Sequence, residues 1–133
     1  MPGLRGYSLQ QEVDTEIVSA YAAASQSFPA VAAAPGWFVL GSFFLPKTVK
    51  TRLEFIGNLS SASISGEVKI VDSTTGLDVS GSLIAFTLLT EVRYLSGVFE
   101  VLGQTPYSIV AQATGAAGGD KFFSVRTASL VGP

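Results

Sequence analysis

From Gly36 to the end of the chain, apolar residues recur at every second position in one segment after another. Residues 49–57 place Val49, Thr51, Leu53 and Phe55 on one side and Lys50, Arg52 and Glu54 on the other, the alternation of a half-buried strand. Ile64, Gly66, Val68 and Ile70 oppose Ser63, Ser65, Glu67 and Lys69 in the same way. Further strands are predicted at about 79–89, 91–102, 107–114 and 121–131. The segment from Trp37 to Leu45 is apolar at both parities, with Trp37, Val39, Phe43 and Leu45 one way and Phe38, Leu40 and Phe44 the other. That pattern predicts a central strand covered on both faces. The shared core is expected to contain Leu53, Phe55, Val68, Ile70, Ile109 and Phe122.

The connections carry turn chemistry. Asp72-Ser73-Thr74-Thr75-Gly76 is a turn in which Asp72 can bond the backbone just ahead of it. Gly115 to Asp120 reads as a flexible hairpin loop. Three Ser-Gly dipeptides, at residues 65–66, 80–81 and 96–97, each follow an apolar residue and mark bulges or close backbone approaches.

Residues 1–35 form a distinct, alanine-rich zone. Leu9, Val13, Ile17 and Ala20 recur at helical spacing, which suggests a short helix over about 8–20. Val13, Thr15, Ile17 and Val18 suit an extended arm equally well. Pro29 and Pro35 bias the residues before them away from helix, so Ala30–Pro35 reads as an extended linker. The organisation expected is an N-terminal arm over residues 1–35 and a β-sandwich domain over 36–133. Many short strands without intervening helices indicate an all-β fold, an antiparallel β-sandwich resembling a jelly roll, with the Ala-rich arm or short helix ahead of it.

Charge changes the picture most. Eight basic and ten acidic residues make up 14% of the chain, and histidine and cysteine are absent, against about 25% charged residues in an ordinary soluble domain. The usual His/Cys zinc sites and the nucleophile–histidine pairs are thereby excluded. A net charge of −2 with no basic cluster argues against nucleic-acid binding. No uninterrupted apolar run has membrane-spanning length, and the first residues do not form a signal peptide.

Carboxylate chemistry would need two facing acids. Among Glu54, Glu67, Glu91 and Glu100, the pattern Arg52/Glu54 and Glu67/Lys69 on single strand faces reads instead as cross-strand charge pairing. No catalytic residue and no cofactor is expected. Asp72 and Asp78 bracket a turn and are the candidate calcium ligands, although a turn-capping role for Asp72 is the simpler account.

Small, weakly charged surfaces lose water at little cost and suit repeated subunit contacts. The expectation is therefore a non-enzymatic structural protein that self-assembles into a homo-oligomer, with a trimer as the expected order. A phage or virus particle component (capsid decoration, tail or baseplate) with a coat or tail protein as partner fits best, which places it in a virion made in the host cytoplasm. Leu9, Val13, Ile17, Val18, Tyr21 and Phe28 are the expected interface residues of the arm. The alternative is a carbohydrate-binding sandwich in which Trp37, Tyr94 and Tyr107 form a stacking platform.

Overall fold

The computed structural model describes residues 18–19 and 26–133. These fold as β1 (Val18–Ser19), β2 (Gln26–Pro29), β3 (Phe38–Phe44), β4 (Val49–Leu59), β5 (Ser65–Asp72), β6 (Ile84–Phe86), β7 (Val92–Leu95), β8 (Phe99–Val101), β9 (Pro106–Thr114) and β10 (Phe122–Val131). No helix among the described residues is long and apolar enough to cross a membrane. Two antiparallel sheets result. In the first, β1 and β2 flank one side of β10, β4 lies on its other side, and β7 and β8 share the far side of β4. The second runs β3-β9-β5-β6.

The pairing is nested. The strand β2 pairs with β10, β3 with β9, β4 with β7 and β8, and β5 with β6. This folded ribbon closes on itself through β10 against β4 and β9 against β5. Residues 115–120 therefore join strands of different sheets, β9 and β10, and do not close a hairpin.

Between the sheets, Leu53, Phe55, Val68, Ile70 and Ile109 are fully buried, as the alternation predicted. Phe122 is not their partner. It is half-buried while Phe123 is fully buried, because β10 bulges between Val125 and Thr127. Phe123 and Val125 face inward before the bulge, and Ala128 and Leu130 after it. An extra residue reverses the parity of everything beyond it.

A second bulge, between Val39 and Gly41, does the same to β3. Leu40, the extra residue, is buried, and Phe43 is buried beyond it. Among the described residues β3 is not central but an edge strand hydrogen-bonded only to β9, with Val39 60% and Phe44 57% exposed. The apolar residues at both parities thus reflect a bulged strand with bare apolar positions, not burial on both faces.

Two predicted strands are shorter or broken, and buried serines fill the gaps. Of residues 79–89, only β6 joins the sheet. Ahead of it Ser82, fully buried, accepts the Ile70 N–H at 3.0 Å and donates to the Val79 carbonyl at 2.7 Å. The stretch 91–102 is interrupted between β7 and β8, where the Leu53 N–H donates to Ser96 Oγ at 2.9 Å. Each hydroxyl satisfies a backbone donor that the sheet leaves orphaned. Gly97, in the Leu95-Ser96-Gly97 dipeptide site, marks this break. Gly66 marks a close approach, since a Cβ there would lie 2.2 Å from the Phe86 ring.

At the N-terminal side, Val18–Ser19 is extended and pairs with Leu130 and Ser129. The rest of the expected helix over 8–20 lies outside the described residues. Residues 26–31 are built into the sandwich: β2 pairs with β10, Ala30 is buried in the core, and Val31 bridges to Thr114.

The parity switch yields a direct comparison. Phe123→Ala is expected to destabilise the protein by about 3–5 kcal/mol, the range for emptying an aromatic core site. Phe122→Ala should cost less than half as much. Urea unfolding of both variants checks this ordering, and equal losses would contradict the inward assignment of Phe123.

Candidate functional site

The three rings expected to form a stacking platform are not brought together. Tyr107 is buried against Phe43, with ring centroids 5.3 Å apart, and its hydroxyl accepts the Leu102 N–H at 2.9 Å. Tyr94 packs at the edge of the core against Phe55 and Phe86 at 6.3 and 6.2 Å. Its registered partner on β4 is Phe55, so it faces inward.

Trp37 lies half-buried on the outer face of the second sheet. Lys69 extends from that face, since its neighbours Val68 and Ile70 enter the core, and its Nζ stands 4.3 Å from the indole centroid. The same ammonium pairs with Asp78 at 2.7 Å. Beside it, Gln112 Nε2 donates to Glu67 at 3.0 Å while its Oε1 accepts the Gly36 N–H at 2.7 Å. Val110 is 6% exposed yet stands outside the core cluster, so this network covers the outer face. One face of the indole is occupied by an ammonium.

Asp72 caps its turn, with Oδ1 accepting the N–H groups of Thr74 at 2.8 Å and Thr75 at 3.2 Å. Asp78 is engaged by Lys69, and no group of three acids gathers among the described residues. Glu54 binds Arg93, and Glu91 binds Arg126 at 2.9 Å. The Lys121 ammonium, hydrogen-bonded to the exposed Asp120, holds that carboxyl below the usual carboxylate range. Of the expected arm residues, Leu9, Val13, Ile17 and Tyr21 lie outside the described residues. Val18 belongs to β1. Phe28 packs within the chain, its ring 5.2 Å from both Phe38 and Phe123.

The most distinctive surface was not singled out by sequence. Among the described residues nine large apolar side chains are 40–69% exposed, and five of them (Leu83, Leu88, Leu89, Leu95 and Val98) come from the single stretch 83–98. This stretch makes β6 and β7, edge strands of the two sheets that lie against each other. The leucines are held outward by bonds to their backbone. Leu59 N–H donates to the Leu88 carbonyl at 3.0 Å, Asn58 Nδ2 to the Leu89 carbonyl at 3.1 Å, and Leu88 N–H to the Tyr94 hydroxyl at 3.4 Å. Ser82 and Ser96 fix the chain beside Leu83, Leu95 and Val98. The charges next to the strip are paired, Arg93 with Glu54 and Glu91 with Arg126. Exposed apolar side chains on a fixed backbone are suited to burial against another protein surface.

Adjacent leucines at 88 and 89 carry no alternation, and core and contact surface draw on the same residue types. The pattern that could have revealed them is Leu-Leu flanked by Thr87 and Thr90, too short to be a strand of its own. No protein-family model matches the chain, and no curated protein matches it.

The fastening of this strip is open to test. Ser96→Ala leaves the Leu53 N–H buried without an acceptor and should cost about 1–3 kcal/mol. Ser80→Ala, at an exposed turn position, should stay within about 0.5 kcal/mol of the parent. Urea midpoints of the two variants distinguish the roles.

Proposed function

We propose that this protein is a structural subunit of jelly-roll type that self-assembles, as a component of a phage or virus particle such as a capsid decoration, tail or baseplate. The nested pairing supports the jelly-roll reading. In support of it, the ribbon of strands pairs first with last and rolls so that β10 meets β4 and β9 meets β5. Fold alone does not select a function.

The observation that carries the assembly reading is the fixed apolar strip of residues 83–98. Parts of the remaining surface are lined by small uncharged hydroxyls. Ser42, Ser108 and Ser73 join hydroxyls in a row at 3.3 and 2.8 Å on the second sheet, and Ser27 meets Ser124 at 3.1 Å on the first. Such a surface desolvates at low cost, whereas a free monomer ordinarily relies on mixed charge to remain soluble. A homo-oligomer in a virion, in contact with a coat or tail protein, is the setting that fits this chemistry.

Sedimentation at micromolar concentration should give a mass above that of one chain. Replacing Leu88 and Leu89 together by lysine should weaken association at least about tenfold, equivalent to about 1.4 kcal/mol, and leave the β-sheet spectrum unchanged because both side chains are solvent-facing. A parent chain that sediments as a monomer would sink the assembly reading.

A further inference from the structure

The two sides of the sandwich, where the sheet edges run, differ in charge. On one side β6 and β7 carry the apolar strip, bordered by the ion pairs of Arg93 and Glu91. The other side is built by β1, β2 and β3, all from a stretch, Ile17 to Pro46, without a charged residue. These edges lie together because the chain crosses from β10 to β9 between β2 and β3. There the Ala30 N–H donates to the Lys121 carbonyl and the Val31 N–H to the Ala113 carbonyl, each at 3.0 Å. Phe28 of β2 and Phe38 of β3 meet between the sheets, with ring centroids 5.2 Å apart.

Among the described residues nothing pairs with the far side of β3. An edge strand turns alternate peptide groups away from its one neighbour, and natural edges are guarded by charge, proline or shortness. The other edge strands have such guards: Arg93 in β7, Glu100 in β8, Pro29 in β2, and only two or three residues in β1 and β6. Strand β3 has seven residues, no charge and no proline. Its one guard is the bulge between Val39 and Gly41, which leaves Gly41–Phe44 in unbroken register with β9. Exposed Val39, Ser42 and Phe44 present two apolar side chains and a hydroxyl beside this open edge.

We propose that β3 pairs antiparallel with β3 of a second copy of this chain, joining the second sheets of two subunits into one continuous sheet. The choice of occupant follows from charge. A two-fold antiparallel pair sets a strand against itself, so a charge on it would stand near its like. Strand β3 carries none to oppose, and it offers a dissimilar partner no charge to select on. Main-chain hydrogen bonds along the edge supply affinity, while Val39 and Phe44 of both copies extend the apolar surface across the joint. This contact rests on the self-assembly reading for its partner but uses no residue of the 83–98 strip. A subunit joined at both sides can build beyond a dimer.

The test uses the full chain with Leu88 and Leu89 replaced by lysine, so that the strip does not contribute. Sedimentation should give a dimer, and hydrogen–deuterium exchange of residues 38–44 should slow as protein concentration rises. Adding Val39→Lys with Ser42→Lys, or Val39→Glu with Ser42→Glu, should weaken that dimer at least about tenfold, since both positions are exposed beside the joint. An equimolar mixture of the lysine and glutamate forms should recover it, which also shows that both forms fold. The proposal is overturned if exchange in 38–44 ignores concentration, or if the charged forms dimerise as tightly as their parent. It is equally overturned if the mixture associates no better than either form alone. Concentration-dependent protection of 83–98 in the unsubstituted chain, without protection of 38–44, would overturn this contact and leave the strip reading standing.

Discussion

The ring of Phe86 lies flat against the backbone of Gly66, its registered partner on the neighbouring strand, and much of the structure depends on that contact. A single methyl group at Gly66 would fall 2.2 Å from the ring. The space left by the missing side chain lets Phe86 reach Phe55 of the opposite sheet at 4.5 Å and Phe123 at 6.0 Å. Phe55 has its own close approach, since a Cβ on Gly57 would meet its ring at 2.8 Å. Aromatic rings seated over glycine fill the space between sheets at interior density. They also anchor β6, which has only three residues and, among the described residues, one sheet neighbour. That contact fixes the start of the stretch 83–98, whose later part is held by β7 against β4.

The second constraint is backbone satisfaction with very few charges. Where β5 and β4 lose a strand neighbour, Ser82 and Ser96 substitute a hydroxyl for the missing carbonyl. Thr51, fully buried, donates to the Val131 carbonyl at 2.6 Å and ties β4 to the last strand. Ser60 links the 115–120 connection to β4, donating to the Asp120 carbonyl at 2.7 Å and accepting the Phe122 N–H at 2.9 Å. Small hydroxyl residues do inside this protein what ladder partners do in longer sheets. Their abundance lowers the charged fraction and leaves a surface on which the remaining charges are mostly paired.

Much of the fold is legible in the alternation of residues. Strands β4, β5 and β9 lie where period-two patterning places them, and Leu53, Phe55, Val68, Ile70 and Ile109 fill the core as read. The failures have a common physical origin. A bulge inserts one residue and reverses parity, which turned Phe122 outward and made the two-sided apolar pattern of residues 37–45 an edge strand. Neither bulge has a local signature beyond ordinary residues at Arg126 and Leu40. The site was less legible than the fold. Tyr107 and Tyr94 are ring-packed parts of the core, whereas Trp37 stands on the outer face, a difference set by which sheet face each segment reaches. Leu88 and Leu89 escaped notice because a leucine held outward by its backbone has the same sequence appearance as one directed inward.

The claim that the 83–98 strip is a subunit contact can be read residue by residue from hydrogen–deuterium exchange across a protein-concentration series. Assembly through this strip predicts that amides of residues 83–98 become progressively protected as concentration rises, while those of β5 and β9 keep constant, slow exchange. Exchange in 83–98 that is indifferent to concentration, or new protection confined to another surface, would contradict the account.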